Sequence, residues 1–146
     1  MKLEELAKKV QALQDIEDIK NLHTDYVFCL INHQWGDIVN YFAENAVADI
    51  WHHGVGRGKD GIAKLFMDVI AKEVTWDSGH LLAQPVISVD GDTAKGHWIL
   101  YIFFPGPPAR WVQGRYDCEY IKVDGKWKFS SLKYTAPWPR PPESTG

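Results

Sequence analysis

The chain has 146 residues, of which 45% are hydrophobic and 24% charged, and its 19 acidic and 16 basic side chains give a formal charge of −3. That size and balance fit one domain with one core, and the absence of a basic run that could follow a phosphate backbone argues against nucleic acid as a partner. No apolar stretch approaches the ~20 residues of a bilayer span, and the charged start Leu3-Glu4-Glu5-Leu6-Ala7-Lys8-Lys9 lacks the apolar core of a secretory signal, so the expected location is the cytoplasm, with no membrane partner.

Residues 3–33 carry apolar side chains at helical spacing: Leu3, Leu6, Val10 and Leu13, then Ile16, Ile19, Leu22, Tyr26 and Leu30. The phase shifts between Leu13 and Ile16, where Asp15 can act as an N-cap, which predicts a short helical extension over residues 1–14 followed by a longer helix. Residues 35–42 read as a third short helix and residues 46–52 as a strand. Gly54, Gly56 and Gly58 then interrupt regular structure. Residues 60–72 form the last helix, with Ile62, Leu65, Phe66, Val69 and Ile70 on one face. From His80 onward the pattern is strand and turn: 81–90, 93–104, 111–124 and 126–135, with tight hairpins at Gly91-Asp92 and Asp124-Gly125 and a wider connection at Pro105-Gly106-Pro107-Pro108. Helices first and an antiparallel meander afterwards define an α+β domain over residues 1–136. Residues 137–146 are a Pro-rich tail unable to pair as a central strand.

Few local motifs carry chemistry. Cys29 and Cys118 have no CxxC spacing and read as buried free thiols. The glycines at 56 and 58 lack the further glycine, lysine and βαβ setting of a phosphate loop. His52, His53, His80 and His97 offer four imidazoles, but without HxH or HExxH spacing, and neighbours along a strand point oppositely, so no metal is expected. With 7 Trp, 6 Tyr and 6 Phe, large rings must fill a core or line a cavity.

Several ordered segments carry a resemblance: Ile16-Glu17-Asp18-Ile19-Lys20, Tyr26 with Trp35 nine residues on, Phe42-Ala43-Glu44-Asn45-Ala46-Val47, Gly58-Lys59-Asp60-Gly61-Ile62, His80, Val89-Asp90-Gly91-Asp92-Thr93-Ala94, Gly114-Arg115-Tyr116 and Asp124-Gly125-Lys126-Trp127-Lys128. Over residues 14–136 the chain resembles the SnoaL-like branch of the nuclear transport factor 2 superfamily, in pattern most like the bile-acid 7-alpha-dehydratases and more distantly the scytalone dehydratases. The resemblance implies a cone-shaped barrel, the cystatin-like roll, in which a curved antiparallel sheet packs against three to four N-terminal helices around a pocket open at one end. It implies cofactor-independent elimination, isomerisation or cyclisation of small lipophilic compounds by a histidine base, an aspartate that orients it and a tyrosine that polarises a substrate oxygen. Homo-oligomers, dimeric or trimeric, are expected, and the stripe Leu3, Leu6, Val10, Leu13 is too short to be stable without a partner surface.

Carried over residue by residue, His80 matches the histidine, an imidazole able to accept a proton near neutral pH, or it is a hydrogen-bonded structural residue. Tyr26 matches the tyrosine, or it is a core aromatic on the helix stripe. The aspartate position is Ile31, which can neither orient an imidazole nor hold a proton. Asp49 could enter the pocket from the first strand or face solvent. His97 is a second pocket imidazole or an exposed strand residue, and Arg115 anchors a substrate carboxylate or enolate or pairs at the surface. Trp51, Trp76, Trp98 and Tyr101 are candidate apolar walls. Three functions follow: a dehydratase- or cyclase-like enzyme acting on a small hydrophobic, cyclic, oxygenated molecule, a ligand-binding protein of the same fold that has lost the chemistry at Ile31, or a purely structural subunit of the kind this fold lends to some oxygenases.

Overall fold

A computed structural model describes residues 2–138. One helix, α1 (Leu3–Ile31), precedes the strands β1 (Phe42–Ile50) and β2 (Val55–Arg57). Helix α2 (Gly58–Leu65) follows and continues through a π turn, Phe66–Ile70, into a last turn, Ala71–Glu73. Strands β3 (Gly79–Asp90), β4 (Thr93–Phe104), β5 (Arg110–Val123) and β6 (Lys126–Trp138) complete the chain.

The break expected near Asp15 does not occur, because the phase shift marks a change of surroundings rather than a helix end. Before Asp15 the helix stands clear of the sheet, leaving Leu3, Leu6, Val10 and Leu13 exposed; after it, Ile19, Leu22, Tyr26 and Val27 are buried. Asp15 caps nothing. Its carboxylate accepts hydrogen bonds from Trp127 Nε1 and Gln11 Nε2, both at 3.1 Å, and pairs with Lys122 Nζ at 2.8 Å. Burial works to raise the Asp15 pKa, but the bonds from Lys122, Trp127 and Gln11 outweigh it and hold the carboxyl below its usual value. This polar clamp fixes the helix to the closed end of the sheet.

The third predicted helix is also replaced. Residues 35–42 form only the 3₁₀ turn Ile38–Tyr41 before β1 begins. One tight turn already buries both Ile38 and Phe42 completely.

Six strands pair in the order β2-β1-β6-β5-β4-β3. All neighbours are antiparallel except β1 and β6, which run parallel. The sheet curves but does not close: β2 and β3 are free edges, so the expected barrel is an open roll, and two helices rather than three or four pack against it. Both predicted tight hairpins form, with Asp124 and Gly125 at φ of 51° and 77°, the pair of positive values that a type I′ loop needs, and Gly91 at 61° in the other.

Strand β4 alternates cleanly, with Ala94, Gly96, Trp98 and Leu100 facing in. Two strands change parity part-way. In β3 the register slips between Ala83 and Val86, where Gln84 takes a positive φ and Pro85 follows. As an edge strand it tolerates both the bulge and the missing N–H. In β6 the register slips opposite Glu119 and Tyr120, so the inward set changes from Trp127 and Phe129 to Leu132 and Tyr134. Pro137 lies inside β6 rather than in a tail. It is tolerated there because β1 ends at Ile50, opposite Tyr134, leaving β5 as the only neighbour beyond that point. The rest of the predicted tail, residues 139–146, lies outside the described residues. Cys29 and Cys118 are free and buried.

Candidate functional site

The inner face of the sheet has two ends. At the closed end Trp98, Tyr120, Trp127 and Phe129 fill the space beneath α1. At the other end a cavity of about 520 Å³ opens, with Leu100, Ile102 and Phe104 of β4 and Val112 of β5 on one side and Leu30, Phe66 and Ile70 of the helices, with Val74 just beyond them, on the other. Polar groups reach this apolar chamber at few places: the phenols Tyr26, Tyr116 and Tyr134, the imidazoles His52, His53 and His80, and Ser78, Glu73 and Arg110. Few convergent polar groups in an apolar concavity is the usual make-up of a small-molecule site.

Of the residues singled out from sequence, His80, Tyr26 and Trp51 line this cavity together. Asp49 does not. It neighbours Ile50, which lines the cavity, and successive strand residues face opposite sides. His97 and Arg115 are exposed at outward positions of β4 and β5. Tyr101 also lies outside, its hydroxyl accepting a bond from Gln113 Nε2 at 2.7 Å. Trp98 faces inward but deeper, donating to Tyr120 Oη at 3.1 Å. Trp76 is 72% exposed and stacks on His33, with ring centroids 3.7 Å apart. Ile31 packs half-buried against the core while Leu30 lines the cavity.

The histidine pair enters for a reason that strand periodicity hides. Residues Trp51–His53 form a 3₁₀ turn, not the end of a strand, so His52 and His53 reach the same chamber. Trp51 opens the turn at φ 43°, a strained value for so bulky a residue, and its ring stacks on His52 at 4.4 Å. Among the described residues no three His, Cys, Asp or Glu side chains form a group able to hold a metal ion.

The His80 pKa is lowered from its ordinary value by desolvation, with no carboxylate acting on it, and its buried Nδ1 has no hydrogen-bond partner among the described residues. At neutral pH it is an uncharged base. Burial pushes Tyr26 and Tyr116 well above the usual phenol value and raises Tyr134 to about 12, so all three remain hydroxyl donors.

Sequence reasoning passed over another imidazole. His23 is fully buried, with Nδ1 3.0 Å from Tyr120 Oη. The Trp98 indole donates to the same Tyr120 oxygen, so one hydroxyl bridges the two rings, and the other imidazole nitrogen, Nε2, is buried. That Nε2 has no partner, and desolvation lowers the His23 pKa to about 3.

A curved open sheet wrapped against one long helix around an apolar chamber is the architecture of a cystatin-like domain. The chain belongs to the SnoaL-like domain family, whose pattern matches residues 11–133. Among solved structures it is similar to an NTF2-like protein with a cystatin-like fold from Novosphingobium aromaticivorans (TM-score 0.77, 18% identity, covering 92% of this chain and 90% of that one). It is also similar to the hexachlorocyclohexane dehydrochlorinase LinA-type3 from Novosphingobium barchaimii (0.76, 19%, covering 89% and 91%) and to a candidate scytalone dehydratase from N. aromaticivorans (0.72, 18%, covering 85% of each). These likenesses establish the fold. No helix of the described residues is long and apolar enough to cross a membrane.

Proposed function

We propose that the chain is a cofactor-independent lyase or isomerase, dehydratase- or cyclase-like, acting on a small hydrophobic, cyclic, oxygenated molecule. The observation that carries this reading is His80: an uncharged imidazole without a carboxylate partner, facing a largely apolar chamber that also holds the Tyr26 phenol. In an elimination, His80 takes the proton from carbon beside a substrate carbonyl, and Tyr26 donates a hydrogen bond to the oxygen on which charge develops. The carbon–oxygen bond then breaks as the imidazolium returns its proton to the departing hydroxyl. Water leaves, a conjugated double bond remains and His80 is neutral again. Solved structures of this fold that are named for a dehydrochlorinase and a scytalone dehydratase agree with such chemistry.

The test is turnover of rigid lipophilic β-hydroxy ketones, followed by the absorbance of the product enone. His80→Ala should lower turnover by about 10²–10⁴-fold while changing ligand affinity by less than about tenfold, or ~1.4 kcal/mol. Because desolvation lowers the His80 pKa, the acid limb of the rate profile should lie below the pH of an ordinary imidazole. Turnover that survives His80→Ala would remove His80 from the mechanism.

Ile31 favours a second reading, a binding protein that kept the chamber and lost the reaction. In that case wild type binds the same ketones without converting them, and Ile31→Asp, by restoring the family's carboxylate, awakens slow elimination. Self-association belongs to either reading. Leu3, Leu6, Val10 and Leu13, between 48% and 81% exposed, form a stripe along a helix that nothing in the chain covers among the described residues. Deleting residues 1–13 should lower the sedimentation coefficient to that of a monomer, and a wild type that already sediments as a monomer would refute this.

A further inference from the structure

Arg115, which the sequence offered either as a carboxylate anchor or as a surface strand arginine, is exposed at an outward position. Arg110, the first residue of β5, lines the chamber instead. Resting on the reading of the chamber as a small-molecule site, we propose that Arg110 is the anchor for a carboxylate carried by the ligand, so that the molecule bound here is a lipophilic acid rather than a neutral lipophile.

Three observations support the assignment. First, the guanidinium carbon sits 3.9 Å above the ring of Phe104, its cross-strand partner, and Phe104 itself lines the chamber. Stacking uses the face of the guanidinium and leaves its in-plane N–H groups free, which is the edge that a carboxylate binds in bidentate fashion. The ring therefore orients the cation without consuming its donors. Second, Arg110 makes no ion pair among the described residues. Third, among the chamber's described lining residues Arg110 is the one permanent cation, so a carboxylate entering the chamber has this guanidinium as its fixed positive partner.

Arg110 and Phe104 also line a second hollow of about 430 Å³, with Phe103 and Trp111 on its wall. The anchor therefore stands where the chamber meets the outside, so the ligand's rings lie inward and its charged end at the rim. Asp77 lines that outer hollow, and Glu73 the chamber. Both oppose an anion, so the preference is set by the close, oriented donors of Arg110 rather than by the net field.

The experiment compares 1-pyrenebutyrate with its methyl ester by fluorescence titration at pH 8, where imidazole carries little charge. Transfer to an apolar chamber by itself favours the ester, because a carboxylate must shed its hydration. Wild type should nevertheless bind the acid about tenfold more tightly. Arg110→Gln should reverse the order, Arg110→Lys should keep only part of the acid preference because it retains charge without the fork, and Arg115→Gln should leave the preference unchanged. Arg110 is exposed, so its variants should melt as wild type does. Equal or tighter binding of the ester by wild type, or an acid preference that survives Arg110→Gln, overturns this assignment while leaving the chamber a ligand site. Failure of both compounds to bind overturns the chamber's role as well.

Discussion

Gly114→Ala is expected to destabilise the protein by about 1–3 kcal/mol and to abolish binding in the chamber. Gly114 is buried on β5 opposite Leu100, at the point where the register with β6 slips between Gln113 and Arg115. A Cβ there would overlap the Tyr134 ring, at its Cε2, Cζ and Oη atoms. The ring cannot swing aside cheaply. It is buried, packed at 5.3 Å from Tyr116, and it lines the chamber. The extra methyl must push Tyr134 either into the ligand space or out of the sheet. Tyr134→Ala in the same background removes the obstruction, so a double-mutant cycle in urea should show Gly114→Ala costing at least 1 kcal/mol less when Tyr134 is absent. Additive costs would mean that the ring does not depend on Gly114.

The same residue explains what was legible in the sequence and what was not. Gly114-Arg115-Tyr116 is a segment on which the family resemblance rests, yet nothing local says that the glycine is there for a tyrosine twenty residues on. The meander from β3 to β6, both tight hairpins and the buried cysteines follow from alternation and turn chemistry, which act over neighbouring residues. The unbroken α1 does not, because the phase shift at Asp15 reports where the sheet begins, and Asp15 is held by Lys122 and Trp127, more than a hundred positions away.

Orientation failed in a comparable way at the site. Trp98, Tyr101, His97 and Arg115 were chosen by residue type, while the side of a strand that faces the chamber depends on the pleat. In β4 and β5 the even-numbered positions face in, which admits Tyr116 and turns His97, Tyr101 and Arg115 out. Trp98 passes that filter but lies too far from the mouth. The bulges in β3 and β6 reset the parity and cannot be located by periodicity. His52 and His53 share the chamber only because a strained turn replaces the strand end. His23 was within reach of sequence reasoning, since Ile19, His23, Tyr26 and Leu30 follow the four-three-four spacing of one helix face.

That buried imidazole should dominate the acid sensitivity of the fold. In the native state the His23 pKa is lowered to about 3 by desolvation, whereas in the unfolded chain it returns to 6.5. Between those values the unfolded state carries a proton that the native state refuses, so stability is full above pH 6.5 and falls as the pH drops. The slope approaches about 1.4 kcal/mol per pH unit, which amounts to a loss of about 2–3 kcal/mol by pH 4.5, a large share of the roughly 5–15 kcal/mol typical of a domain. Desolvation of His80 acts in the same direction to a smaller extent. Asp15, whose pKa is lowered, keeps its contribution until the pH falls through the carboxylate range, so the window from pH 6.5 to 4.5 isolates the imidazoles. His23→Leu removes the hydrogen bond between the imidazole and Tyr120 and should cost about 1–3 kcal/mol at pH 7. It should also flatten the pH dependence, so that the curves of variant and wild type converge on acidification. Urea unfolding at half-unit steps from pH 7 to 4.5 measures both slopes. Parallel curves would show that His23 takes up its proton in the native state, and that the aromatic enclosure around it is open to water.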